Sequence, residues 1–329
     1  MTPEQFPIGR RTCLGLALAG CLPGAVAAQE RWPERPLQLI APIAAGGLTD
    51  ALARMLASGL STRLGQQVVV DNRPGGGGTI GMSAAARSPA DGYHLVLVYQ
   101  GVASVNPVLY PRLPYDTLRD FAPVAQVASF PLALVASSRV QATDLQAFMA
   151  LARSRPGQLS YASAGNATTA HLTMELFKRR TGLQLAHIPY KGEAPALNDL
   201  IGGQVDVAFS SLGSVLPHLH NDRLKLLGVT SAQRTPLAPG LPTIAEAGVA
   251  GFQSLGWYAV LAPAGTPAAA IERLNRELLA VLAEPEMRTR LAAQAIVPGG
   301  SSPEALRQWI TEDTGRWRKV IADAGIKAD

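Results

Sequence analysis

Two periodicities alternate along most of the chain. Apolar runs at residues 37–43, 68–70 and 93–98 are nearly unbroken, as expected of strands covered on both faces. Between the first two runs, Leu52, Met55, Leu56 and Leu60 recur at the spacing of one helix face over residues 49–64. A second helix runs from the glycines at 75–78 to about residue 87, so the opening third predicts β-α-β-α-β and a parallel sheet. The texture changes over 121–130 and the pattern then restarts. A strand at 131–136 leads to a helix at 144–153, with Thr143 or Asp144 as its cap. Next come a strand at 159–162, a polar loop at 163–169 opening a helix to residue 180, a strand at 187–190, a helix at 194–201, and strands at 205–209 and 224–229. One extended segment, 256–261, precedes helices at 267–283, 286–294 and 303–324, whose simplest place is back on the first module.

The length of 329 residues fits two such modules with ample core. Hydrophobic residues make up 47% and charged residues 16%, which excludes a disordered polymer. The net charge of +5 comes from scattered Lys and Arg and aromatic content is 5%, so no basic stripe with interleaved stacking residues exists for nucleic acid.

The N-terminus reads as an export signal. Arg10 and Arg11 form a basic n-region, residues 12–22 an apolar core, and residues 25–28 a small-residue cleavage site after Ala28. The apolar core, broken by Gly15 and Gly20, is too short to span a membrane. Cys13 and Cys21, the two cysteines of the chain, both fall in this leader, so the mature protein rests on its core rather than on disulfides. Arg10-Arg11 resembles a twin-arginine signal, and Leu18-Ala19-Gly20-Cys21 resembles a lipobox that would lipidate Cys21. Either way the expected location is periplasmic.

Gly76, Gly78 and Gly81 match GxGxxG, but the next strand ends in Tyr99-Gln100 with no acid to hold a ribose, and Asp91 precedes it. A phosphate loop fails for lack of a Lys before Thr79. His218 and His220 have no carboxylate cluster nearby, so no metal is expected. No Ser stands in GxSxG, so no catalytic residue and no cofactor is expected either. What recurs is strand, small-residue loop, helix start: at 44–47, 75–79 and 163–169. Each puts unpaired amides at a helix N-terminus, where the dipole favours an anion, and at the carboxyl end of a strand, where open α/β sheets bind ligands.

These stretches carry a resemblance. LIAPIAAGGLTDALAR (39–54), VDNRPGGGGTIG (70–81), YASAGNATTAHL (161–172), IPYKGEAPALNDLIGGQVDVAF (188–209), LGVTSAQR (227–234) and LPTIAEAGVAGF (241–252) resemble, in order, the Bug family, the solute-binding receptors of tripartite tricarboxylate transporters. The departures are Ile43-Ala44-Ala45, where an aromatic followed by Pro or Ala is usual, and Gln100, where a small hydroxyl residue is common.

The resemblance implies an α/β bilobal periplasmic-binding-protein fold, type II-like, whose two domains are joined by a two-stranded hinge. Domain one would take residues 30–130 and 252–329, domain two 131–251, after a signal peptide at 1–28. It implies a monomer that captures a small organic acid or acidic amino acid between its lobes and hands it to membrane permease subunits. Expected ligand-binding residues are Ala44, Ala45, Gly46, Gly47, Asp50, Gly78 and Gln100 from one lobe. From the other come Ser163, Ala164, Asn166, Thr168, Thr169, His171, Tyr190, Lys191 and Ser210. Asp50 is awkward there, because a carboxylate facing the cleft would repel an acid or accept an amino group. Two other readings stand beside this one: an exported nucleotide-dependent oxidoreductase using Gly76 to Gly81, and a sensor subunit for a membrane histidine kinase.

Overall fold

The computed structural model describes residues 32–218 and 222–327; the leader with Arg10, Cys13, Cys21 and Ala28, and also His220, lie outside the described residues. The chain runs β1 (Leu37–Ala41), α1 (Leu48–Leu64), β2 (Val68–Asn72), α2 (Thr79–Ala86), β3 (His94–Tyr99) and, after a π-turn at Gly101–Val105, the short α3 (Asn106–Leu109). Then follow β4 (Phe121–Ser137), α4 (Leu145–Ser154), β5 (Ser160–Ser163), α5 (Thr169–Thr181), β6 (Ala186–Pro189), α6 (Glu193–Ile201), β7 (Val207–Ser211) and α7 (Leu212–Val215). The chain continues through β8 (Leu224–Val229), β9 (Leu255–Pro263), α8 (Ala268–Ala283), α9 (Pro285–Ala292), β10 (Val297–Pro298) and α10 (Pro303–Ala324).

Helix ends follow local chemistry. Asp144 caps α4 by accepting from Ala147 N at 2.8 Å, and Ser302 caps α10 by accepting from Ala305 N at 3.2 Å. Helices α1, α5 and α10 stop at Gly65, Gly182 and Gly325, each in the left-handed conformation that glycine tolerates.

The strands form one curled path, β2-β1-β3-β9-β4-β7-β5-β6, with β8 and β10 also paired to β4. The βαβ units are parallel as the pattern predicts, but β9 and β4 run antiparallel to their neighbours, so the sheet is mixed. β4 joins its two halves. Residues from Phe121 to Pro131 pair with β9, and those from Leu132 onward pair with β7 and β8. The return crossing is tied to the same point: Thr230 exchanges backbone and side-chain bonds with Leu132, and Ser254 N donates to Thr230 O at 3.0 Å.

Each half buries its own apolar layers. Leu39, Leu52, Leu56, Val260 and Leu278 fill one face of the first half, and Val96, Val98, Phe121 and Trp257 the other. Phe148, Phe177, Phe209 and Phe252 pack beneath the second half, with Leu197, Leu200 and Val215 above it. Helix α10 belongs to both: Leu306 and Ile310 enter the first core, whereas Trp317, Val320 and Ile321 enter the second. At 22 residues it is long enough to reach across the junction, so the tail does not simply return to the first module.

Candidate functional site

The strand register places two rows of loops face to face. Tyr99, at the carboxyl end of β3, pairs with Tyr258, which pairs with Ala128 of β4. Ser211, at the carboxyl end of β7, pairs with Leu132. The loop edges of the two halves are thus separated by only a few residues of one strand, about 13 Å at the usual rise. Leu48 from one side and Ser211 and Ser214 from the other line a single cavity of about 280 Å³, with Phe130 and Gln294 in its wall.

On the first edge, residues Ala44 to Leu48 are exposed, and a side chain at Gly46 or Gly47 would meet nothing within 4 Å. Gly47 is the N-cap of α1 and offers no side-chain bond, so the first amides of a 17-residue helix open toward the cleft. Asp50 faces away from that opening. Its Oδ2 accepts from Gly46 N and Arg54 Nε, both at 3.0 Å, and its Oδ1 accepts from Asn72 Nδ2 at 3.0 Å. Those donors, Gly46 first, hold its pKa down to about 2. Asp50 therefore braces the loop from behind, and the Gly46 amide is engaged by it, which removes the repulsion expected of a carboxylate in the cleft.

Gly75 to Gly78 all have positive φ, and Gly78 is packed: an added Cβ would collide with Val102 and lie 2.9 Å from Tyr99 OH. Gly77 O accepts from Asn106 Nδ2 at 3.1 Å and from Tyr99 OH at 3.3 Å. The run is a pinned turn, held from β3 and α3. Gln100 follows β3 and is 2% exposed; its Oε1 accepts from Thr169 Oγ1 at 3.1 Å, a direct bond between the two edges.

On the second edge, Thr168 is the N-cap of α5 and makes no capping side-chain bond, so a second helix N-terminus opens at this edge. Thr168 Oγ1 instead donates to Gly165 O at 2.8 Å. Two imidazoles hold the loop from behind. Ser163 Oγ lies 2.7 Å from His187 Nε2, and Ala167 N donates to His171 Nδ1 at 3.0 Å. The two rings stack at 4.0 Å, and Tyr161 lies 4.7 Å from His187 and 6.2 Å from His171. Glu175 Oε1 accepts from Tyr161 OH and from Lys178 Nζ, both at 2.6 Å. Burial pushes the His187 pKa down. The Ser163–His187 contact resembles a nucleophile and its base, but Ser163 is 1% exposed and the imidazole is packed against the His171 and Tyr161 rings.

The remaining expected residues scatter. Ala164 lies in the loop, and Asn166 is exposed at its tip. Tyr190 donates its hydroxyl to Asp199 at 2.7 Å, Lys191 is exposed, and Ser210 is buried opposite Ala133 inside β7. Three residues that sequence reasoning missed pack behind the lining of the cavity. Glu193, opening α6, accepts from Ser211 N at 2.6 Å and from its hydroxyl. Thr49 Oγ1 donates to Tyr258 OH at 3.3 Å, and the Tyr258 ring lies 5.7 Å from Phe130. Among the described residues no three metal-ligating side chains converge, and no helix is long and apolar enough to cross a membrane.

Two α/β halves on one curled sheet, each with a helix N-terminus open at its loop edge, have the architecture of a bilobal solute-binding protein. The chain belongs to the family described as "Tripartite tricarboxylate transporter family receptor", whose profile matches residues 52–326. Protein BugT of Bordetella pertussis is 38% identical over 95% of this chain and 97% of its own length. Among solved structures, R. palustris Rpa4515 with adipate aligns with TM-score 0.78 at 38% identity, covering 90% of this chain and 99% of that one. MatC (Rpa3494) from Rhodopseudomonas palustris with bound malate aligns with TM-score 0.73 at 30% identity, over 88% and 99%. The family is one of periplasmic receptors for carboxylates.

Proposed function

We propose that this chain is a non-enzymatic extracytoplasmic receptor that closes on a small carboxylate and presents it to the membrane subunits of a tripartite transporter. The observation that carries this is the pair of uncapped helix N-termini, at Gly47 and Thr168, on facing edges with open space over Gly47. Helix amides and dipoles stabilise a carboxylate without a cationic side chain. The loops supply one nearby cation, Lys191, so amides and hydroxyls do most of the recognition. In this reading residues 30–130 and 252–329 form one lobe and 131–251 the other, with β4 and the return at Ser254 as hinge. The protein acts as a monomer, after signal cleavage at Ala28 or lipidation at Cys21. Adipate and malate, the ligands named with the relatives, set the size class: one or two carboxylates on a short frame.

A panel of dicarboxylates, aromatic acids and acidic amino acids, each paired with its amide, tests the assignment by thermal unfolding. A ligand at 100 times its Kd stabilises by about 2.7 kcal/mol, which raises the Tm of a chain this long by roughly 4–5 °C. Acids should shift the midpoint and their amides should not, since an amide loses the charge–dipole attraction and turns donors toward donors. Shifts from amides or sugars with none from any acid sink the carboxylate assignment.

A further inference from the structure

Asp313 lies in the middle of α10 and is 1% exposed. Its Oδ2 accepts from Trp257 Nε1 at 3.0 Å and from Gln100 Nε2 at 3.3 Å. Its Oδ1 has no hydrogen-bond partner; the nearest cation, Arg316 Nη1, is 3.8 Å away. Burying a carboxylate with so little compensation is unfavourable for stability alone. Burial also raises its pKa, in spite of those two bonds, Arg316 and the neighbouring Trp317 indole.

What Asp313 does is fix an amide. Gln100 Nε2 carries two protons, one directed at Asp313 and the other at Leu255 O, 3.2 Å away. Turned over, the Gln100 carbonyl oxygen would face a carboxylate and a carbonyl, acceptor against acceptor. Only one orientation satisfies the pocket, and it directs Oε1 at α5, where Thr169 Oγ1 donates to it. Gln100 belongs to the end of β3 and Thr169 opens α5, so the bond ties the two edges together beside the uncapped amides.

We propose that Asp313 is a positioning residue: by locking the Gln100 amide it makes the Gln100–Thr169 contact a latch across the cleft, setting how readily the two lobes close. The affinity readout rests on the carboxylate-receptor reading; the latch itself does not. Without Asp313 only Leu255 O still opposes the turned-over amide, so the latch is made for a smaller fraction of the time and closure on a ligand loses that fraction. One lost hydrogen bond of ordinary strength corresponds to about fivefold in that equilibrium.

The test imposes a repulsion and then relieves it. Gln100→Glu sets a second carboxylate against Asp313, and adding Asp313→Asn removes the charge repulsion, although Trp257 Nε1 and Leu255 O, which share the site, keep the recovery partial. Scattering radius without ligand, and adipate and malate titrations, are measured for wild type, Q100E, Q100E/D313N and D313A. Q100E should expand the unliganded protein and weaken acid binding about tenfold or more, the double variant should recover part of both, and D313A should weaken binding about fivefold. A double variant no better than Q100E, or a D313A protein with wild-type radius and affinity, overturns the latch. If D313A does not fold, Thr169→Val removes the donor from the other lobe and must expand the unliganded protein. Neither acid binding the wild type counts against the receptor reading alone, because the radii still decide the latch.

Discussion

Asp50→Asn separates bracing the first loop from facing a ligand. Every partner of the Asp50 carboxylate is a donor: Gly46 N, Arg54 Nε and Asn72 Nδ2. An Asn must therefore turn its amino group toward at least one of them. Asn72 cannot rotate to compensate, because its Oδ1 accepts from Arg54 Nη2 at 3.2 Å. The carboxyl is held at about 2 against an ordinary 3.8, a gap worth about 2 kcal/mol when the unfolded group is ionised. The variant should lose about that much at pH 7, or roughly 3–4 °C in Tm for a chain this long. The sign follows from a depressed carboxylate pKa: the stabilisation is fully present above about pH 4 and is lost as pH falls toward about 2. Thermal unfolding of both proteins at pH 7, 4 and 3 should show the gap narrowing with acid, and ligand affinity should fall with the loosened loop. Equal midpoints at pH 7, or a gap that does not narrow, would refute the brace.

Three further outcomes follow from the same geometry. Gly47→Val should leave Tm within about 1 °C, since its φ of −91° is ordinary and its Cβ meets nothing, yet weaken acid binding tenfold or more by covering the α1 amides; unchanged affinity by calorimetry would make loop one a mere cap. Gly78→Ala should cost about 2–4 kcal/mol in urea unfolding, from a positive φ and a collision with Val102; a neutral result would restore a loose, ligand-ready glycine loop. Because the His187 pKa is lowered in the fold, its contribution is present above about pH 6.5 and lost as pH falls below it. Acid affinity should therefore drop between pH 8 and pH 5 in wild type and drop less in His187→Gln, as titrations at both pH values would show.

Local pattern carried the elements well where each has one apolar side or two. β4 is the instructive failure. Its register shifts between Pro123 and Ala125, and Pro131 stands where pairing passes toward the second half, so prolines that argue against a strand sit where a regular ladder is not kept. Read locally, 121–130 and 131–136 are two segments; in space they are one strand. The turn and helix after β3 escaped notice because Val102, Ala103, Ser104, Val105 and Asn106 are all buried and show no polar face. In the site, Asp50 was visible as a first-turn acid and Arg54 as its i+4 partner, but Asn72 arrives only through β1–β2 pairing and decides which way the carboxylate points. His171 and His187 are likewise brought together by tertiary packing, and no spacing rule finds them. Glu193 directly after Gly192 was a legible helix-start acid. Tyr258 reads as core because its ring is core; only its hydroxyl reaches out, to Thr49.

Helix α10 has a consequence for how the molecule is made. Every strand and every other described helix precedes it in the chain, yet Leu306 and Ile310 complete one core while Trp317, Val320 and Ile321 complete the other. Until residues 303–324 have left the ribosome, both halves lack a wall, and a nascent chain gains little by collapsing around either sheet. One late helix thus couples the two cores, so that neither half is finished much before the other and both close in a single concluding step.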